Sequence, residues 1–216
     1  MKKRTVIPEE KIYTKFFQKK EISAVTPLDY KFVHRKKIIV FVPIGLEHKL
    51  LKAMASAGAG QIGDYGMCSF QTEGTGTYIP GKKASPYKGS TNKLSREREI
   101  RLEMECEEKD LNKILDALHE VHPYEEVVYE VYDFSKRTNE LNGVVIILEK
   151  SLSYKDLVMR LNSKIVNMND KIRKRFKRIA VISTDADEIN LDKCRLNKVD
   201  CIISVNKKNI NLIIIK

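Results

Sequence analysis

The residues with most chemical potential fall in four short stretches. His122-Pro123-Tyr124-Glu125-Glu126 sets an imidazole within four positions of two carboxylates, donors suited to a metal ion or a small ligand. Cys68-Ser69 places a thiol beside a hydroxyl, and such a thiol becomes a nucleophile only with a positioned base or a lowered pKa. Gly58, Gly60 and Gly63 spell G-x-G-x-x-G, the spacing that lets backbone approach a pyrophosphate. Lys82, Lys83, Tyr87 and Lys88 offer cations and a ring to a phosphate or an acidic partner.

Each stretch has a structural counterpart. Pro123 ends a helix, Tyr124 packs, and His122 caps the last helical carbonyls. One histidine with carboxylates is too few for tight binding within one chain. His122, Tyr124, Glu125 and Glu126 therefore stand as ligand-site candidates whose first expectation is structural, with pooling of ligands between subunits as the other route. No base adjoins Cys68, which favours a buried strand thiol. The glycine string needs a strand before it and a helix after it to bind a nucleotide. Here Leu46, Leu50, Ala53, Met54 and Ala57 mark a helical face before the glycines, and Ile62, Tyr65 and Phe70 mark a strand after them. Gly58 and Gly60 thus read as a helix C-cap and its exit, with Gly63 and Tyr65 completing a structural motif.

The elements that must position these residues follow from patterning. A first helix from Pro8 to about Lys20, with Ile12, Phe16 and Phe17 as apolar contacts, is broken at Thr26-Pro27, and a connecting strand covers 28–34. The run Ile38-Ile39-Val40-Phe41-Val42 predicts a buried strand. A helix over 46–57, a strand over 61–72, a turn at Glu73-Gly74 and a short segment 75–79 come next. Residues 81–95 lack periodicity and read as a long exposed loop. Ile100, Leu102, Met104 and Cys106 alternate with Arg101, Glu103 and Glu105, a strand with one wet face. Leu111, Ile114, Leu115, Leu118 and Val121 form a helix stripe opened by Glu107, Glu108 and Asp110. Val127, Tyr129 and Val131 alternate along a last strand ending near Asp133. The order β-α-β-β-α-β defines an α+β, ferredoxin-like plait. A linker at 136–141 then leads to a small α/β extension: an apolar run 144–148, a helix capped by Ser153, strands at 179–182 and 201–205, a short helix near 191–196 and a terminal run 210–215. The expected domains are a basic segment 1–36, the plait 37–134 and the partial α/β segment 142–216, the last with little core of its own.

The 216 residues carry a formal charge of +11. Eleven Lys or Arg against four acids crowd residues 1–37, and Lys171, Arg173, Lys174, Arg175, Lys177 and Arg178 form a second basic run. Only Phe176 interleaves with that run, so no base-stacking platform is evident, and nucleic-acid binding is kept as an alternative. No stretch approaches the roughly 20 apolar residues that span a bilayer, and the charged start lacks a signal-peptide core; a cytoplasmic protein is expected. Cys68, Cys106, Cys194 and Cys201 form no C-x-x-C pair, which predicts reduced, mostly buried thiols.

Residues 37–134 resemble the inserted domain of the Nif-three-like dinuclear metal proteins, also called YqfO-like and named GTP cyclohydrolase 1 type 2 homologues. That insert is similar to the CutA and PII plaits. The resemblance rests on Ala57-Gly58-Ala59-Gly60 with Ile62-Gly63 and Tyr65, Cys68-Ser69-Phe70, Gly74-Thr75-Gly76-Thr77-Tyr78 with Pro80, Glu99 with Arg101 and Glu103, His122-Pro123-Tyr124-Glu125-Glu126, and Tyr132-Asp133. Residues 143–165 and 177–203 resemble the parts that follow the insert. The family implies two divalent metal ions held by an early His-His pair, an aspartate and a late His…Glu at i, i+4. The histidines here are His34, His48, His119 and His122, none adjacent to another, so that ligand set cannot be placed and no cofactor is expected. What the resemblance implies is a non-catalytic CutA/PII-like binding or regulatory module of a shortened family member, assembling as a homo-oligomer, a trimer first. The alternative is a divergent dinuclear-metal hydrolase.

Overall fold

The computed structural model describes residues 10–161, 174–183, 188–205 and 210–215. In chain order these form α1 (Glu10–Thr14), β1 (Ile22–Pro43), α2 (Glu47–Ser56), β2 (Phe70–Tyr78), β3 (Ser95–Cys106), α3 (Leu111–Val121), β4 (Tyr129–Ser153), α4 (Tyr154–Arg160), β5 (Arg175–Ile182), α5 (Glu188–Leu196), β6 (Cys201–Val205) and β7 (Ile210–Ile214). Single 3-10 turns at Lys19–Glu21 and Glu108–Asp110 precede β1 and α3. The chain divides into two compact units, residues 33–136 and residues 1–32 with 137–216.

The 33–136 unit is the plait. Its strand order is β2-β3-β1-β4, in which β3 pairs antiparallel with both β1 and β2, and α2 and α3 are the two crossover helices. This is the expected α+β, ferredoxin-like arrangement. Side chains alternate across a strand, so each sheet face takes every second residue. One face of β1 gives Ile38, Val40 and Val42, and β3 gives Leu102, Met104 and Cys106. These pack under Leu50 and Met54 of α2 and Ile114 and Leu118 of α3 in one core. The opposite face is ionic along β3, where Lys37 meets Glu103 at 3.1 Å and Lys136 meets Glu105 at 3.2 Å.

Several boundaries differ from expectation. The strand expected over 61–72 with a turn at Glu73-Gly74 is instead β2 over Phe70–Tyr78, paired with β3 through Thr72↔Arg101 and Gly74↔Glu99. A neighbour with free ladder groups overrides the turn signal of a lone glycine. Residues 61–69 form a tight loop, with Ile62 and Tyr65 exchanging backbone hydrogen bonds at 2.9 and 3.0 Å. Cys68 lies in that loop, partly buried rather than in a strand, while Cys106, Cys194 and Cys201 are buried free thiols.

In the other unit the order is β1-β4-β5-β6-β7, with β5 and β6 parallel and the β4–β5 and β6–β7 pairs antiparallel. The break expected at Thr26-Pro27 is absent, since β1 runs on through Pro27. The linker expected at 136–141 is likewise the middle of β4. The first helix is shorter than expected, and Pro8 lies outside the described residues, as does Ile165 of the helix capped by Ser153. The C-terminal segment gains a core by sharing it with the N-terminal one: Tyr13, Phe17 and Ile22 join Val144, Ile146, Leu157, Phe176 and Ile179 in one cluster. Tyr13 Oη donates to the Leu141 carbonyl at 2.6 Å. Arg160 grips both oxygens of Glu21 at 2.7 Å, which holds that carboxyl down at about 2.

Candidate functional site

The plait unit contains a cavity of about 570 Å³ on the sheet face away from the helices. Phe41 of β1 and Glu99 of β3 form part of its floor, both belonging to the alternate set that the helices do not cover. Residues 79–94 fold over this end of the sheet, pinned by Asn92 N–H to the Pro80 carbonyl at 2.8 Å and Tyr78 Oη to the Lys88 carbonyl at 2.9 Å. The His122–Glu126 turn closes the side. There the Ser85 N–H donates to both oxygens of Glu125, at 2.9 and 3.1 Å.

His122 is buried, and its place follows from the end of α3. Its N–H donates to the Leu118 carbonyl at 3.0 Å, finishing the helix. The ring does not cap the helical carbonyls, as the sequence suggested. Tyr124 N–H donates to Nδ1 at 3.2 Å, so Nδ1 carries the lone pair and Nε2–H faces the Phe41 carbonyl at 3.0 Å. Burial lowers the pKa of the imidazole, in keeping with this neutral form. Tyr124 in turn donates its hydroxyl to Glu99 Oε1 at 2.8 Å. Burial first, and the Glu99 carboxylate second, push the Tyr124 phenol well above its ordinary range. Tyr78 is raised by burial and by Glu97 and Glu99.

Glu99 is the central residue that patterning did not single out as a ligand candidate. Alternation places it with Arg101 and Glu103 on the wet face, yet it is only 8% exposed because residues 79–94 cover that end. Gly76, diagonally across on β2, leaves room for it: a Cβ there would overlap the Glu99 carboxylate. Tyr78 and Tyr87 stand around Tyr124 with ring centroids 6.4 and 6.1 Å away. The structure thus brings His122, Tyr124, Glu125 and Glu126 to one place, with only Tyr124, Glu125 and Glu126 lining the cavity itself.

The glycine string does what its context implied. Gly58 N–H bonds Ala55 O and Ala59 N–H bonds Met54 O, both at 3.0 Å, a Schellman end to α2 with Gly58 at φ +117°. Gly63 has φ +56° and Tyr65 is exposed, so neither forms part of the cavity.

Several of the remaining basic residues have local partners. Lys31, Arg35, Lys36 and Lys37 face acids within their own units. In the second basic run, residues 171–173 lie outside the described residues. Lys174 donates to the Ile215 carbonyl, Arg175 to Ser151 and Arg178 to the Asn197 carbonyl. His34 meets Ser135 and His119 packs edge-on against Tyr129. Among the described residues there is no group of three or more His, Cys, Asp and Glu that could hold a metal ion. No helix among them is long and apolar enough to cross a membrane.

With fold and cavity in view, the class is a plait carried within an α/β frame, and sequence comparison supplies the relatives. No family model matches the chain. It is 31% identical over 158 residues to the GTP cyclohydrolase 1 type 2 homolog of Bacillus subtilis, covering 71% of this chain and 42% of that protein. Relatives of the same name occur in Halalkalibacterium halodurans and Mycobacterium leprae. Among solved structures, a Bacillus cereus protein related to NIF3 is 25% identical with a TM-score of 0.47, over 89% of this chain and 51% of that one. Staphylococcus aureus protein SA1388 shares the fold at 15% identity and TM-score 0.51, over 85% and 47%. The expected resemblance therefore holds: the chain is a homologue of the NIF3-like proteins named GTP cyclohydrolase 1 type 2 homolog. It spans less than half the length of the curated relatives cited.

Proposed function

We propose that this chain acts as a non-catalytic CutA/PII-like binding or regulatory module that works in the cytoplasm as a homo-oligomer, a trimer first. The observation that carries the binding role is the cavity, whose Tyr124–Glu99 pair is held from behind by His122 and roofed by residues 79–94. These groups bind and orient: the lining holds no thiol, and the Tyr124 hydroxyl is engaged as a donor to Glu99 with its phenol pushed well above its ordinary range. Assembly is supported by β2, an edge strand without a buried residue that begins at Phe70, 64% exposed, and follows a loop carrying Tyr65, 75% exposed. The reading needs no metal ion.

Static light scattering on the full chain, with metal content measured on the same sample, tests both parts. The expected mass is a multiple of the chain mass, three for the trimer, with no stoichiometric metal. A monomer at micromolar concentration removes the assembly. About two tightly held divalent ions per chain would favour the hydrolase alternative instead.

A further inference from the structure

The cavity's lining is selective in a way that the binding role alone does not require. We propose that it is a site for an organic ammonium compound, whose charged group lies between tyrosine rings and the Glu99 carboxylate while its body rests on the apolar wall. This deepens the binding role above and rests on it.

The charge pattern comes first. The chain carries a net +11, and the acids along the open face of β3 are matched: Glu97 with Lys88 at 3.3 Å, Glu103 with Lys37, Glu105 with Lys136. Glu99 sits in the same row and differs. It is more than nine-tenths buried, its one hydrogen bond comes from the neutral Tyr124 hydroxyl, and it makes no ion pair among the described residues. Glu125 and Glu126 at the rim make none either, and no Lys, Arg or His lines the cavity. A buried carboxylate without a counter-charge is costly, and a cationic ligand offsets that cost. The same lining offers an anion nothing with a positive charge.

The aromatic pattern narrows the cation. Tyr78 and Tyr87 are tilted by 59° and 48° to Tyr124 with centroids 6.4 and 6.1 Å from it, a corner of ring faces rather than a stack. A cation within about 6 Å of such centroids is drawn to the ring faces, and quaternary or primary ammonium groups are the usual guests of such corners. A divalent metal ion instead wants several converging oxygens, and only Glu99 is buried here. Phe41, Ile79, Pro80, Pro86 and Val128 add an apolar wall. About 570 Å³ is ample for an ammonium group carrying a hydrocarbon body.

Three probes that share a phenyl ring separate charge from shape: benzylammonium, benzyl alcohol and benzoate, titrated at pH 7 and constant ionic strength into the full chain. The readout is NMR of tyrosine rings, with Tyr78, Tyr87 and Tyr124 assigned by single Tyr→Phe variants. Benzylammonium is expected to shift these three saturably, at least about tenfold tighter than benzyl alcohol, and benzoate to leave them unmoved. Glu99→Gln keeps an acceptor for Tyr124 while removing the charge. It should weaken benzylammonium about tenfold or more and leave benzyl alcohol unchanged. Equal or tighter binding of the alcohol or of benzoate overturns the ligand class while leaving the cavity a binding site. Unchanged benzylammonium affinity in a folded Glu99→Gln chain overturns it too. If no probe moves the three rings, the ligand class and the binding role of the cavity fall together. The ratio of benzylammonium to benzyl alcohol in the unsubstituted chain decides the matter even where the variant fails to fold.

Discussion

His122 uses both ring nitrogens, one toward the Tyr124 N–H and one toward the Phe41 carbonyl, and that double use makes it sensitive to acid. A proton on Nδ1 would face the Tyr124 N–H donor and break that bond. Burial lowers the folded pKa below the unfolded value near 6.5, while Glu99 opposes the shift and His119 adds to it. The unfolded chain then binds the extra proton first, so this contribution to stability is complete above pH 6.5. It is lost as pH falls through the folded pKa, below which both states carry the proton. Thermal melts of the full chain between pH 8 and pH 5 should show a stability decline that His122→Gln flattens. An unchanged slope in the variant would place the sensitive group elsewhere. The loss should reach the cavity, because Tyr124 is the next link after His122.

At the scale of elements, the passage from α2 to β2 is held by glycine. Gly60 has φ +75°, and a Cβ there would stand 2.7 Å from both the Cys68 carbonyl oxygen and Met104 Cε. Its own N–H donates to the Glu105 carbonyl at 2.8 Å, and its carbonyl accepts from the Cys68 N–H at 2.9 Å. Strain and overlap add, so Gly60→Ala should cost about 2–3 kcal/mol, read as a lowered denaturant midpoint with unchanged slope. Gly63→Ala, with φ +56° and open space around it, should cost less. The helix C-cap was legible in the order of apolar face, then glycine. The alternating third strand was legible for the same kind of reason, since one face of β3 meets the helices and the other meets charges. The β2 register was not, because what decides it is the free edge of β3, distant along the chain but adjacent in space. Pro27 misled similarly: a strand near the edge of a pairing tolerates proline, and local propensity cannot see the pairing. Glu99 was legible as a position and not as a site, because its burial comes from a loop without periodicity.

For the whole molecule, the two units draw on the chain differently. The plait is one continuous stretch with its own core, so residues 33–136 expressed alone should melt cooperatively by circular dichroism. The other unit is discontinuous. Tyr13, Phe17 and Ile22 complete its core from the N-terminal side, so residues 137–216 alone should lack a cooperative transition. The reverse pattern would show that the cores are wrongly apportioned.

The chain enters the plait in the middle of β1 and leaves it in the middle of β4, and these strands are neighbours. On the plait side the His34 ring lies 3.1 Å from the Ser135 hydroxyl; on the other side Thr138 donates to the Lys31 carbonyl, also at 3.1 Å. Entry and exit are thus a doorway one strand spacing wide. A hundred-residue excursion through so narrow a doorway closes a loop whose ends are already paired, which makes the plait a detachable cassette. Joining Phe32 to Arg137 through a two-residue hairpin turn would leave β1 and β4 as an ordinary hairpin. Gain, loss or exchange of the plait is then a change of cargo that the host strands need not register.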